Sequence, residues 1–229
     1  MTFDSGVYKT VNYKEIYTIV NEYLATSSTI TDFPFKVKNF VHTQADIQFF
    51  SYKKAIEKYG FNPHYFGSES AVWTEMNGAN IIFFNQDEPP HRIRFSIIHE
   101  FAHYNLKHKT NLSSSDPLYQ CQELEANCFA AQLLMPEQLL RECVNRHQKI
   151  NAQFIMDAFS VSNEAAEKRL HTLAKTEYAW RSRAEKMYDD IILMKYEEKL
   201  NAIAPKPDPY SYFNFEDEYE RQRERDSWY

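Results

Sequence analysis

Two histidines and a glutamate in the stretch IIHEFAHYNL, residues 97–106, have the types and the spacing of a metal site. On an α-helix, residues four apart lie on one side, one turn apart, so His99 and His103 could offer two imidazole nitrogens to one ion. Zinc binds imidazole nitrogen at about 2.0–2.1 Å and lowers the pKa of a bound water to about 7. Glu100, beside the first histidine, could accept a proton from that water. The spacing therefore predicts a zinc-dependent hydrolytic site.

The residues around this motif indicate a largely apolar helix. Charged and imidazole groups embedded in such a helix need partners, because burying them unpaired costs several kcal/mol. A chance match with surface histidines is the alternative, and the apolar surroundings argue against it. The apolar residues that surround the motif are Ile93, Phe95, Ile97, Ile98, Phe101, Ala102 and Leu106.

A catalytic zinc site needs a third protein ligand and an open fourth position. The next predicted helix, residues 121–135, is apolar almost all round, which is typical of a buried helix. Its polar residues form two narrow strips: Glu125 and Gln132 share one, and Glu123 and Asn127 share the other. The two glutamates are about 200° apart around the helix. Only one of them can face the metal, and the spacing does not choose between them.

Taken together, these motifs resemble the ImmA/IrrE family of metallopeptidases, over roughly residues 40–136. Its members regulate mobile elements, prophages or stress responses by cleaving a repressor. The similarity rests on HEFAH at 99–103, EANCFAAQLLMP at 125–136, ANIIFFN at 79–85 and RIRFSIIHE at 92–100.

The resemblance implies a zincin-like α+β fold with a small, mostly antiparallel sheet packed on helices. It implies that Zn2+ is held by His99, His103 and Glu125, and that Glu100 is the general base. It also implies a zinc-dependent endopeptidase whose substrate is a helix-turn-helix transcriptional repressor. The alternative function is a metal-binding regulator that sequesters or remodels a repressor without cutting it.

Other polar residues near the motif have simpler interpretations. His108 follows His103 by five positions, off the ligand side of the helix, and is expected at a helix end or in a loop. Cys121 and Cys128 flank Glu125, but free cysteine is usually a small buried hydrophobe, so we do not expect thiolate ligands.

Two further pairs are candidates for contacts with substrate. Tyr104 or Tyr119 could stabilise the oxyanion that forms when a carbonyl is attacked. His91 and Arg92, at the start of the motif helix, are interpreted as surface residues that could contact substrate.

Hydrophobic periodicity predicts the elements that position the motif. Asn77-Gly78 between two apolar runs is a strong signal for a tight hairpin turn, and Gly60 is a usual helix stop. The predicted elements are a helix at 13–25, a strand at 47–51 followed by a helix up to Gly60, a hairpin over 70–85, and helices at 91–107 and 121–135.

The C-terminal half is predicted to be helical. Residues 151–174 resemble a helix-turn-helix core, but its second helix has few basic residues to contact phosphates, so packing or repressor recognition is favoured over DNA binding. Residues 177–203 are predicted to form one long charged helix. Its apolar stripe, which could dock on the body or on a partner, comprises Trp180, Ala184, Met187, Ile191, Met194 and Leu200.

Four segments follow from these patterns. Residues 1–34 are an N-terminal helix and linker, and 35–136 are the metallopeptidase core. Residues 137–203 form the helical region. Residues 204–229 are an acidic, aromatic tail that we expect to be flexible.

Composition excludes several classes of protein. The chain has 229 residues, a net charge of −6 and 3 cysteines. This acidic balance disfavours direct DNA binding, which usually needs a basic face. An odd number of cysteines without CxxC spacing fits a reducing compartment, and there is neither a signal-peptide pattern nor an apolar run of roughly 18 residues. We therefore expect a cytoplasmic protein without membrane contact, of unspecified oligomeric state.

Overall fold

The structure is a computed structural model that describes residues 10–110, 112–175, 181–207 and 215–226. Helices and a small sheet alternate in its first half, and helices alone make up the described part of its second half. The helices are α1 (Tyr13–Thr26), α2 (Val37–Gln44), α3 (Tyr52–Tyr59), α4 (Pro90–Asn105), α5 (Pro117–Leu134), α6 (Glu137–Asn145), α7 (Ala152–Phe159), α8 (Asn163–Lys175), α9 (Arg183–Lys195), α10 (Glu197–Ile203) and α11 (Phe215–Asp226), and the strands are β1 (Ile47–Ser51), β2 (Ala71–Met76) and β3 (Ala79–Phe84).

The three strands form a mixed sheet in the order β1-β3-β2. β2 and β3 are an antiparallel hairpin closed at Met76 and Ala79, and its turn residues Asn77 and Gly78 both have positive φ, as Asn-Gly favours. β1 pairs parallel with β3, on the side of β3 opposite β2, and the chain from β1 to β2 runs through α3. The predicted hairpin and α+β class are confirmed, and the sheet is half parallel rather than mostly antiparallel.

Two proline-initiated helices carry the site residues. Pro90 opens α4 and Pro117 opens α5, and a proline in the first turn loses no helical hydrogen bond because that N–H has no partner in the helix. Asp116 caps α5 by accepting from the Leu118 N–H at 2.8 Å. This cap starts α5 four residues before the predicted start. Phe101 of α4 is fully buried and contacts Phe129 of α5, with ring centroids 5.9 Å apart.

Arg169 of the helix-turn-helix-like segment is used in packing. Its side chain is buried and donates to the Met135 carbonyl at 3.0 Å and to the Tyr17 hydroxyl at 3.1 Å. It also contacts Gln132 of α5. These contacts join α8 to α1 and α5, which supports the packing interpretation.

The prediction of one long helix over residues 177–203 is wrong. In the described part of this range the structure has two helices, α9 and α10. They are separated by Tyr196, which is 1% exposed. The Tyr196 hydroxyl lies 2.9 Å from the Leu24 carbonyl oxygen and 3.0 Å from that of Ile30. Ile192 and Leu200 share its buried side.

The apolar stripe predicted on this helix is mostly uncovered. Met187, Ile191 and Met194 are all exposed, whereas Leu200 is buried. Trp180 lies outside the described residues.

The described part of the tail contains one helix. Residues Phe215–Asp226 form α11, and residues 208–214 and 227–229 lie outside the described part of the chain. The flexibility expected of the tail stays a prediction. Among the described helices, none is long and apolar enough to cross a bilayer.

Candidate metal centre

Three side chains meet where α4 packs on α5. The Nε2 atoms of His99 and His103 are 3.0 Å apart. Glu123 of α5 places one carboxylate oxygen 3.4 Å from His99 Nε2 and the other 3.5 Å from His103 Nε2. Among the described residues, this is the group of histidine, cysteine and carboxylate side chains close enough to share one ion.

The separations of these ligand atoms fit a metal. A tetrahedral zinc ion with bonds of about 2.0–2.1 Å places its ligand atoms roughly 3.3 Å apart, and the observed separations are 3.0, 3.4 and 3.5 Å. All three side chains line an open cleft of about 2530 Å³. The centre therefore has three candidate ligands and an open side, the arrangement that a catalytic zinc site requires.

Glu125, which the family resemblance implied as third ligand, is not brought to these histidines. It is 4% exposed, does not line the cleft, and points its carboxylate at His108 Nε2, 3.1 Å away. The half-turn between positions 123 and 125 sends one carboxylate to the cleft and the other into the protein. Glu123, and not Glu125, is therefore the glutamate that lies with the two histidines, a choice that the spacing along the sequence left open.

Each histidine of the centre has a hydrogen-bond partner on its other ring nitrogen. His99 Nδ1 lies 3.2 Å from Asn127 Oδ1, and His103 Nδ1 lies 3.0 Å from His108 Nδ1. With Nδ1 engaged, both rings turn Nε2 toward Glu123. Such partners set the tautomer and the orientation of metal-binding histidines.

His108 reaches the centre because of how α4 ends. The Lys107 N–H bonds to the Tyr104 carbonyl and the His108 N–H bonds to the His103 carbonyl, with Lys107 at φ 53. This is a Schellman motif, which usually has glycine at the left-handed position. His108 lies just past the helix, as predicted, but it is buried and folded back on His103.

The electrostatics of His103 and Glu123 favour the protonation states that bind metal. Burial and the neighbouring charge of His99 lower the pKa of His103. Burial acts to raise the pKa of Glu123, but the hydrogen bond and the positive charge of His99 outweigh it and hold that pKa below its usual value. A neutral imidazole and an ionised carboxylate are the forms that coordinate zinc. At His99, burial acts to lower the pKa, but the hydrogen bond to Glu123 and the negative charge of Glu100 outweigh it and raise that pKa, so zinc binding there displaces a proton.

Glu100 is held beside the centre by the edge strand of the sheet. Its carboxylate accepts a hydrogen bond of 2.7 Å from the Trp73 N–H of β2. Burial raises the pKa of Glu100 to about 7, which is the range in which a general base exchanges protons at neutral pH. The predicted base and the ligand group therefore face the same cleft.

Residues 46–171 match the family model of the M78 peptidases, described as an IrrE N-terminal-like domain. The chain belongs to this family. The match covers more than half of the chain, including the HEFAH motif and both glutamates of α5. Among curated proteins, none matches the chain significantly.

Two tyrosines of this M78 family member were candidates for stabilising the oxyanion, and one of them lies at the cleft. Tyr119 lines it and hydrogen-bonds to Glu123. Tyr104 instead packs its ring against Trp73, with centroids 5.8 Å apart, and does not line the cleft.

The remaining candidates lie around the centre rather than in it. His91 and Arg92 line the cleft, where they could meet substrate. Cys121 is buried and Cys128 half-buried, and neither joins the ligand group. Burial raises the pKa of Cys128 to about 11, so it is a thiol at neutral pH.

Proposed function

We propose that this protein is a zinc-dependent endopeptidase that cleaves a specific protein, a helix-turn-helix transcriptional repressor, and so derepresses a mobile element, a prophage or a stress response. The observation that carries the proposal is the meeting of three metal-ligand side chains with a buried glutamate of raised pKa in one open cleft. Membership of a peptidase family supports the reaction type.

The ligands proposed for the metal are His99, His103 and Glu123. Zinc, when bound, would polarise the scissile carbonyl and make a water molecule acidic. Glu100 accepts the proton of the attacking water and passes it to the leaving amine. The Trp73 N–H fixes one oxygen of Glu100, which keeps the carboxylate at the cleft throughout both proton transfers.

The shape of the cleft supports a protein substrate. Its volume of about 2530 Å³ exceeds the roughly 300–1,000 Å³ of ordinary small-molecule sites. Its walls come from α1, the edge strand β2, α4, α5 and α8, and a cleft of this size can hold a segment of polypeptide. The repressor itself is proposed from the family resemblance.

The cellular location proposed for this reaction is the cytoplasm. The three cysteines, Cys121, Cys128 and Cys143, are all described and none forms a disulfide bond. Cysteine thiols are the usual state in a reducing compartment.

A cleavage assay tests the proposal. The zinc-loaded protein is mixed with the repressor encoded next to its gene, with and without a chelator, and the products are followed by mass spectrometry. Discrete fragments that disappear with the chelator and return with added zinc are expected. A repressor that stays intact but binds the protein tightly would contradict the endopeptidase and favour the non-proteolytic regulator.

A further inference from the structure

We propose that His108 and Glu125 position His103 for the metal, as a three-membered relay, His103–His108–Glu125, that fixes which nitrogen of His103 faces the cleft. The proposal rests on the metal centre of the proposed function. Its two added members come from different elements: His108 from the turn after α4, and Glu125 from the inner side of α5.

The relay is continuous in hydrogen-bond distances. His103 Nδ1 lies 3.0 Å from His108 Nδ1, and His108 Nε2 lies 3.1 Å from a carboxylate oxygen of Glu125. His108 is 6% exposed and Glu125 4% exposed. Because both side chains are buried, water competes little for these hydrogen bonds, and the two residues bond to protein groups.

The proton positions along the relay follow from its last member. A carboxylate accepts hydrogen bonds and cannot donate, so the proton between Glu125 and His108 is carried by His108 Nε2. In its neutral form, the His108 ring then has a lone pair on Nδ1, which accepts from the Nδ1–H of His103. His103 is left with its lone pair on Nε2, the atom that lies 3.5 Å from Glu123.

The other histidine of the centre shows why His108 is needed. His99 meets Asn127 directly, at 3.2 Å, because both side chains point toward the cleft. Glu125 points away from the cleft, so His108 fills the distance between Glu125 and His103. This arrangement also accounts for a glutamate in the apolar interior of α5 that is not a ligand.

Zinc affinity and the spectrum of the cobalt-substituted full-length protein test the relay. The variants are His108→Leu, which removes the middle of the relay, and Glu125→Gln, which removes its charge. Because loss of such partners costs about 10–100-fold in metal affinity, we expect a loss of that size for H108L and of at least about threefold for E125Q, with a shifted Co2+ absorption in both.

Glu137→Gln is the matched control. Glu137 is another fully buried glutamate, paired with Arg141 and Arg181, and it lies outside the ligand group. Its substitution should lower stability while leaving zinc affinity and the Co2+ spectrum unchanged. E125Q keeps the size of the side chain, so its result stands even if H108L fails to fold.

Two outcomes would overturn the relay. Zinc affinity of H108L within about twofold of wild type would remove His108 from the centre, and an E125Q variant with wild-type affinity and spectrum would remove Glu125. Either result leaves the peptidase proposal intact. Conversely, wild-type protein that binds zinc through this relay but cleaves no repressor would refute only the proposed reaction.

Discussion

Glu123 and Glu125 stand two residues apart on α5, yet their carboxylates face different histidines. Glu123 lies 3.4 Å from His99 Nε2, at the cleft, whereas Glu125 lies 3.1 Å from His108 Nε2, inside the protein. Both glutamates therefore contribute to one centre, the first as a candidate ligand and the second through His108.

Substitution of these two glutamates should weaken zinc binding unequally. Glu123→Gln removes a charged ligand and should cost more than about 100-fold in zinc affinity, beyond the roughly 10–100-fold typical of hydrogen-bond partners of ligands. Glu125→Gln should cost far less. Competition with a chromophoric chelator measures both, with the exposed Glu75→Gln of β2 as control. If E125Q lost more affinity than E123Q, the ligand assignment would have to be reversed.

The raised pKa of Glu100 predicts how the metal-free protein responds to pH. The folded protein holds the Glu100 proton more tightly than the unfolded chain, with a pKa of about 7 against a usual 4.5. Stability from this group is therefore fully present below about pH 4.5 and is lost as pH rises to about 7, a change on the order of 3 kcal/mol.

Urea unfolding at pH 5 and pH 8, in the presence of a chelator, measures this change. Glu100→Gln cannot ionise, so it should reduce the difference between the two pH values and should be more stable than wild type at pH 8. Equal pH dependence of the two proteins would show that Glu100 is not held in a buried, protonation-favouring site.

The Trp73 N–H is expected to contribute to catalysis through Glu100. Comparison of Trp73→Pro with Trp73→Ala isolates it, because both lose the indole but only proline loses the N–H. That N–H points away from the β3 ladder, toward Glu100, and an edge strand tolerates proline at such a position.

A hydrogen bond to a charged group is worth about 1.5–3 kcal/mol, so kcat/KM of W73P should fall roughly tenfold or more below that of W73A. Circular dichroism checks that the sheet is intact in both. Similar kcat/KM values in the two folded variants would mean that β2 does not hold the base.

Tyr196 should stabilise the attachment of the C-terminal helices. Tyr196→Phe removes a buried hydroxyl that lies 2.9 Å and 3.0 Å from two carbonyl oxygens, which should lower the free energy of unfolding by about 1–3 kcal/mol. Tyr188→Phe, a partly exposed tyrosine on α9, is the control. A Tyr196→Phe protein as stable as wild type would show that these contacts add nothing.

Features encoded locally could be predicted from the sequence. The Asn77-Gly78 turn, the stop at Gly60 and the HEFAH helix depend on residues that are neighbours along the chain, so their patterns are sufficient. For the same reason the pairing of His99 with His103 follows from helical spacing alone.

Features that depend on packing could not be predicted. The choice of Glu123 over Glu125 depends on how far α5 is rotated against α4, and no local pattern states that rotation. His108 reaches His103 through a left-handed turn at Lys107, where lysine gives none of the signal that glycine would. The interruption at Tyr196 depends on carbonyl groups more than 160 residues away in sequence.

Glu100→Gln is the decisive test of metal-assisted peptide cleavage at this centre, with cleavage of the repressor and zinc content measured on the same preparation. Since general acid–base catalysis contributes about 10²–10⁴-fold, we expect one zinc ion per chain, as in wild type, and a cleavage rate lower by at least about a hundredfold. An E100Q protein that holds zinc and cleaves the repressor at the wild-type rate would contradict this mechanism.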